Sequence, residues 1–188
     1  FYLNVCRIGR LCGIYFADST KLAVCHNRRI HSNKVFKGKA ARGKTSTGWF
    51  YGLKLFLVIN AFGEIMNAFL TMANVADNHL VTMIKLFSKL KGWAFADKGF
   101  INQKAVEELL SKGLHLITGI RRNMKNKLVL MEQKILLQKR GVIESVNDIL
   151  KTVCDIEHTR HRSPINALVN LYAGLCSYTF LDRLPSIF

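Results

Sequence analysis

The chain has 188 residues, with 28 Lys and Arg against 12 Asp and Glu, for a formal net charge of +16 at pH 7. An apolar fraction of 49% excludes a disordered chain, and the length suits a single domain over 1–188, or one domain with an extension. The charge points to a polyanionic partner, nucleic acid ahead of an anionic membrane surface. The most apolar stretch, 53–62, is interrupted by Lys54 and Asn60 and is about half a membrane span. No signal peptide is visible. Five cysteines (Cys6, Cys12, Cys25, Cys154 and Cys176) without a Cys-x-x-Cys pair read as a reduced, cytosolic protein. The start at Phe1, already in the texture of a domain interior, reads as a chain that lacks an N-terminal portion.

Residues 11–18 read as a first strand ending at Asp18. Residues 19–47 read as a basic loop or arm, in which Arg28, Arg29, Lys34, Lys37, Lys39, Arg42 and Lys44 are joined by no acid after position 18. The aromatic and β-branched run 48–60 predicts a second strand, Phe62-Gly63 a turn, and 64–72 a returning third strand. Asn78 is the expected cap of a helix through Leu90, with Leu80, Met83, Ile84 and Phe87 on one face. A short buried strand, 93–97, ends at Asp97. Asn102 caps a second helix to Lys112, stopped by Gly113. A strand at 115–120 and a basic linker at 121–139 follow. The segment 138–151 is an amphipathic helix carrying Glu144, and 163–181 is a last apolar helix with Pro164 in its first turn.

This order, β-β-β-α-β-α-β-α-α, matches an α/β fold of the ribonuclease H-like (retroviral-integrase-like) type, a mixed five-stranded sheet flanked by helices. In that fold three acids come from the first strand, the fourth strand and a late helix. Asp18, Asp97 and Glu144 stand at those places. A carboxylate at the end of a buried strand is costly to desolvate unless a cation or donors meet it. Three of them make an oxygen cage for a pair of Mg²⁺ ions, with Mn²⁺ as a substitute. On the Glu144 helix, Arg140, Glu144, Asp148 and Lys151 fall on one face, and Val142, Ile143, Val146, Ile149 and Leu150 on the other. An ordinary exposed helix with i,i+4 ion pairs would read the same way.

The spacing Arg140-x3-Glu144-x6-Lys151 resembles the Tyr-x2-Arg-x3-Glu-x6-Lys signature of bacterial DDE insertion-sequence transposases. Ala17-Asp18-Ser19, the run from Gly43 to Leu55, Ala96 to Phe100 and Glu157 to Pro164 resemble segments of the same family, in order. Leu137 stands at the signature Tyr, and Phe56 where relatives often carry His. The resemblance implies two-metal phosphoryl transfer at Asp18, Asp97 and Glu144, with Asp18 bridging both ions. It implies cleavage at element ends and strand transfer into target DNA, on double-stranded DNA, by a homodimer assembled on it. It implies no membrane association and a cytoplasmic, nucleoid-associated bacterial protein whose N-terminal DNA-binding region is absent here. Arg140, Lys151, Lys44, Arg42, Arg121 and Arg122 are the expected DNA contacts. The alternatives are a transposase remnant that binds DNA without cutting it, and a basic RNA-binding module in which the three acids are placed by accident.

Two further patterns are set aside. Gly38 to Thr45 matches a phosphate-binding loop letter for letter, but follows a polar basic stretch and leads into strand-like sequence rather than a helix. Cys154, His158 and His161 fit no zinc-finger spacing and read as part of a basic turn. Trp49, Phe50 and Tyr51 read as core and edge residues rather than base-stacking platforms.

Overall fold

A computed structural model describes residues 9–46, 48–120, 130–158 and 161–188. Its centre is strand β1 (Ile14–Cys25), flanked by the antiparallel strand β3 (Gly48–Asn60) and the parallel strand β5 (Gly92–Ala96). Strand β6 (Leu114–Thr118) extends the parallel side. On the other side β3 is long enough to pair twice, with β2 (Ala41–Thr45) along its first half and β4 (Ile65–Met72) along its second. Among the described residues the mixed sheet therefore has six strands, one more than the sequence predicted.

The extra strand corrects the reading of 19–47 as a loop or arm. β1 runs on to Cys25, β2 occupies 41–45, and only the segment between them loops out. Strand β2 carries Arg42 and Lys44 on exposed positions, as edge strands do to avoid pairing with other chains, and that charge hid its alternation. Strand β2 then leads into β3 and not into a helix, so the Gly38–Thr45 motif lacks the architecture of a phosphate-binding loop.

Among the described residues, five helices cover the two faces. On one face, α1 (Leu80–Leu86) and α2 (Gln103–Ser111) pack with Tyr15, Ala17, Phe56, Val58, Ala94 and Phe100. On the other, α3 (Met131–Gln138), α4 (Gly141–Thr152) and α5 (Pro164–Tyr178) enclose Phe16, Leu55, Leu57, Ile59 and Phe95. Alternate residues of β1 and β3 serve the two cores, so both strands are apolar on both sides. Asn102 caps its helix as expected, accepting from the Ala105 N–H, and Ser163, read as part of the last helix, is its cap and accepts from the Asn166 N–H. The first helix departs from expectation. His79 stands at its cap without a side-chain hydrogen bond, while Asn78 turns to Ile101 O, and the helix stops at Leu86 before Lys89 at φ +69°.

The linker expected at 121–139 is helical over α3, which has no fully buried residue and rests Leu136 and Leu137 on the core. Residues 121–129, including Arg121 and Arg122, lie outside the described residues. Leu137, at the signature Tyr position, is thus a packing residue. Phe56 is fully buried against the Phe100 ring on the α1/α2 face, away from the acids. Tyr178 closes the last helix onto the β3–β4 turn by donating its hydroxyl to Gly63 O at 2.8 Å. Among the described residues Cys12, Cys25, Cys154 and Cys176 are free thiols, and no helix is long and apolar enough to cross a membrane.

Candidate active site

Strand register brings Asp18 and Asp97 together. The parallel ladder between β1 and β5 ends at the pair Ala17–Ala96, and each aspartate is the next residue. Phe16 and Phe95, two residues back on their strands, both belong to the core under α4, so both aspartates point to that face. Asp18 is not at the end of its strand, as the sequence suggested; it is the fifth residue of a twelve-residue strand that outruns its parallel neighbour. The site sits where that ladder runs out.

Helix α4 supplies the third acid. Ile143, Val146 and Leu150 are buried against the sheet, which leaves Glu144 at the helix's exposed edge, in its first turn. Arg140, just before the helix, is held between two acids. Its Nη2 lies 3.1 Å from Glu144 Oε1 and 4.0 Å from Asp97 Oδ1. The guanidinium spans two of the three expected metal ligands.

Asp18 is the strained member. Burial raises its pKa from the ordinary 3.8 to about 6. The Ser19 N–H and the Arg140 charge oppose that rise, while the charges of Asp97 and Glu144 add to it. One more group was missed from the sequence. Asn147, only 6% exposed, donates its Nδ2–H to Asp18 Oδ2 at 3.1 Å, and its own Oδ1 is buried without a partner. The signal was present: Asn147 is a polar residue on the apolar stripe of Ile143, Val146 and Leu150, where it must find a partner.

Oxygen donors alone, in a neighbourhood where burial raises a carboxyl's proton affinity, suit a hard divalent ion. The orphaned Asn147 Oδ1 adds one more unengaged oxygen beside them. The donor chemistry therefore fits the expected metal. Among the described residues, however, no three His, Cys, Asp or Glu side chains converge closely enough to hold an ion as they stand. Arg140 takes up part of the space between them.

The other expected contacts divide. Lys151 is paired with Glu157 at 3.1 Å, and Glu157 also accepts the Ala23 N–H of β1 at 3.3 Å, so this lysine clasps α4 to the central strand. Arg42 and Lys44 are exposed on β2. Asp77 is an anchor. It accepts from Lys54 Nζ at 2.9 Å and Ser19 Oγ at 2.8 Å, on the sheet face opposite Asp18. Lys54 is 8% exposed and also donates to Val75 O. A lysine inside the apolar run 53–59 had to find a counter-charge, which is how the sequence could have announced this pair. His158 and His161 stack edge to face beside Asp155, with no metal-binding cluster among the described residues.

A search of curated proteins by sequence returns no match. Among solved structures, the chain is similar to a chain of the piggyBac transposase synaptic complex with hairpin DNA. That match has 11% identity and TM-score 0.54, and covers 89% of this chain and 46% of that one. A chain of the simian T-cell lymphotropic virus intasome, in complex with PP2A regulatory subunit B56 gamma, matches with 14% identity and TM-score 0.49 over 95% of this chain and 52% of that one. The chain thus spans about half the length of these relatives. The fold is ribonuclease H-like. The family model described as "Transposase DDE domain" matches residues 8–164, across β1, β5 and α4 alike, and the chain belongs to that family.

Proposed function

We propose that the chain is the catalytic domain of a DNA transposase that cleaves strands at the ends of a mobile element and joins them to target DNA. The observation that carries the reading is that two register-matched aspartates lie on the sheet face covered by α4, with Arg140 linking Asp97 to Glu144. A bound divalent ion would supply polarisation of the scissile phosphate and a more acidic attacking water. Asp18, Asp97 and Glu144 would hold it, and Asn147 would fix the orientation of Asp18. Arg140, released from the acids, would meet the phosphodiester by paired N–H donors. In the first step a water oxygen attacks phosphorus and the P–O3′ bond breaks, leaving a 5′-phosphate and a 3′-hydroxyl. In the second, that 3′-oxygen attacks a target phosphodiester and displaces its 3′-oxygen in turn. Neither step involves a redox change. Mg²⁺ is the proposed ion, with Mn²⁺ able to replace it, double-stranded DNA the partner, and a homodimer the working form.

A second reading, DNA binding without cleavage, is favoured by one observation: Arg140 neutralises two of the acids, which do not gather around a common point. Nicking of supercoiled DNA with Mg²⁺ or Mn²⁺, wild type against Asp97→Ala, separates the two. Metal-dependent nicking by wild type alone is the expected result. Equal nicking by both proteins would sink the carboxylate mechanism, and salt-sensitive binding with no nicking by either would establish the second reading.

A further inference from the structure

Resting on the reading of this chain as a DNA-processing domain, we propose that a cavity around Trp49 receives a single unpaired nucleobase of the bound DNA. The sequence grouped Trp49 with Phe50 and Tyr51 as core and edge residues, and the structure divides them. Phe50 and Tyr51 are buried, whereas Trp49 is 62% exposed. Its ring forms one wall of a cavity of about 420 Å³, lined also by Asn27, Ile30 and Arg42.

The cavity is built. The segment between β1 and β2 is anchored through Phe36, which is 2% exposed and whose carbonyl accepts the Tyr51 hydroxyl at 3.2 Å. From the same segment Asn27 Nδ2 donates to the Trp49 carbonyl at 2.7 Å, fixing the strand's main chain to the loop. Strand register places Lys44 opposite Trp49, and its ammonium lies 5.7 Å from the ring centroid. Arg42, two residues along the same face of β2, makes no ion pair with any described residue. Seven Lys and Arg and no acid fall between 28 and 44.

A flat aromatic wall, an aliphatic side chain from Ile30 and unpaired cations at the rim select for a planar ring attached to phosphate. Stacking on such a wall tolerates any base, because every base has a π-face, and neighbouring cations add to it. A paired base inside a duplex shows only its edges, so the occupant is unpaired. The position also agrees with the site. Odd-numbered residues of β3 from Trp49 to Ile59 face the same side of the sheet as Asp18. Trp49 lies eight positions from Leu57, the partner of Asp18, which is about 26 Å of strand. That distance corresponds to about eight base-pair steps of one continuous duplex.

The test compares a short duplex carrying one bulged 2-aminopurine with the same duplex fully paired, using wild type, W49A, W49F and R42A in metal-free buffer at two salt concentrations. Wild type should prefer the bulged duplex about tenfold and quench its fluorescence, and W49A should lose both effects while keeping its affinity for paired DNA. W49F should retain most of the preference. R42A should weaken both duplexes alike and reduce the salt slope by about one. Equal affinity of wild type for the two DNAs would overturn the proposal, as would a W49A variant that loses both equally. If the preference is absent but metal-dependent nicking persists, the Trp49 assignment alone fails. If folded wild type binds neither DNA, the DNA-processing reading fails with it.

Discussion

The Arg140 guanidinium lies between Asp97 and Glu144, 4.0 Å from one carboxylate and 3.1 Å from the other. It pairs with two of the acids proposed to hold the metal, and a phosphate is a group able to draw it away. Under the proposed function DNA binding and metal binding would assist each other, because an arginine drawn to phosphate leaves Asp97 and Glu144 free for the ion. Arg140→Ala should therefore bind Mn²⁺ severalfold more tightly in the absence of DNA, as followed by electron paramagnetic resonance. The same variant should bind DNA less well, with a salt slope shallower by about one. Unchanged Mn²⁺ affinity would mean that Arg140 does not compete for the site.

Asp18 makes stability depend on pH in a defined direction. Its proton is held more tightly in the folded protein, at about 6 against 3.8. Its contribution is thus fully present below the lower value and is lost as pH rises through the upper one, by up to about 3 kcal/mol. Asp18→Asn removes the buried charge. It should be more stable than wild type at pH 7.5 by on the order of 1–3 kcal/mol in urea unfolding, and flatter between pH 4 and 6. Adding Mg²⁺ should raise the melting temperature of wild type and leave this variant unmoved. A variant less stable than wild type at pH 7.5 would contradict the desolvation argument.

Asn147 separates stability from activity. Asn147→Leu replaces a side chain whose Oδ1 is buried and unsatisfied by an apolar group of similar size. Folding stability should shift by no more than about 1 kcal/mol. Losing the donor to Asp18 should lower metal affinity or nicking about 10- to 100-fold. Calorimetry and nicking assays on the same preparation test both halves, and a variant with full activity would remove Asn147 from the site.

Behind the sheet, the Lys54–Asp77 pair should behave as structure. Lys54→Ala leaves Asp77 without its cation and should cost roughly 3 kcal/mol. The double variant Lys54→Ala, Asp77→Ala should cost less than the sum of the singles, because neither charge is then stranded. Additive losses in denaturant melts would show that the two side chains are not coupled.

The β3–β4 hairpin, the Asn102 cap, the Pro164 start of the last helix and the strand before Asp97 were legible because pattern and punctuation agreed there. Residues 41–45 misled because strand alternation was overlaid with cations, and 19–25, which carries only Lys21, was read together with the basic segment that follows it. Helix α3 was hidden for a related reason: it buries no residue fully, so its sequence carries little periodic signal. Asp18, Asp97 and Glu144 could be picked out as candidates because acids are scarce in this chain. Their supports could not. Asn147 reaches Asp18 across 129 positions, and Lys54 reaches Asp77 only after a hairpin has folded. Partners of that kind are set by tertiary approach, which no local pattern encodes.

Because β1 is enclosed on both faces, deletions should be far harsher than substitutions there. Removing any one residue between Tyr15 and Asp18 while β1 keeps its pairing would rotate the carboxylate away from α4 and bring Ser19 into its place. The acid would then take the place of Ala17 in the apolar core behind the sheet, among Phe56, Val58 and Phe100, where its charge is costly to bury. Neighbouring positions in this strand can change their chemistry with graded effects, but their number cannot change by one. For variants of this domain, reading frame within β1 is a sharper divide between working and silent copies than residue identity.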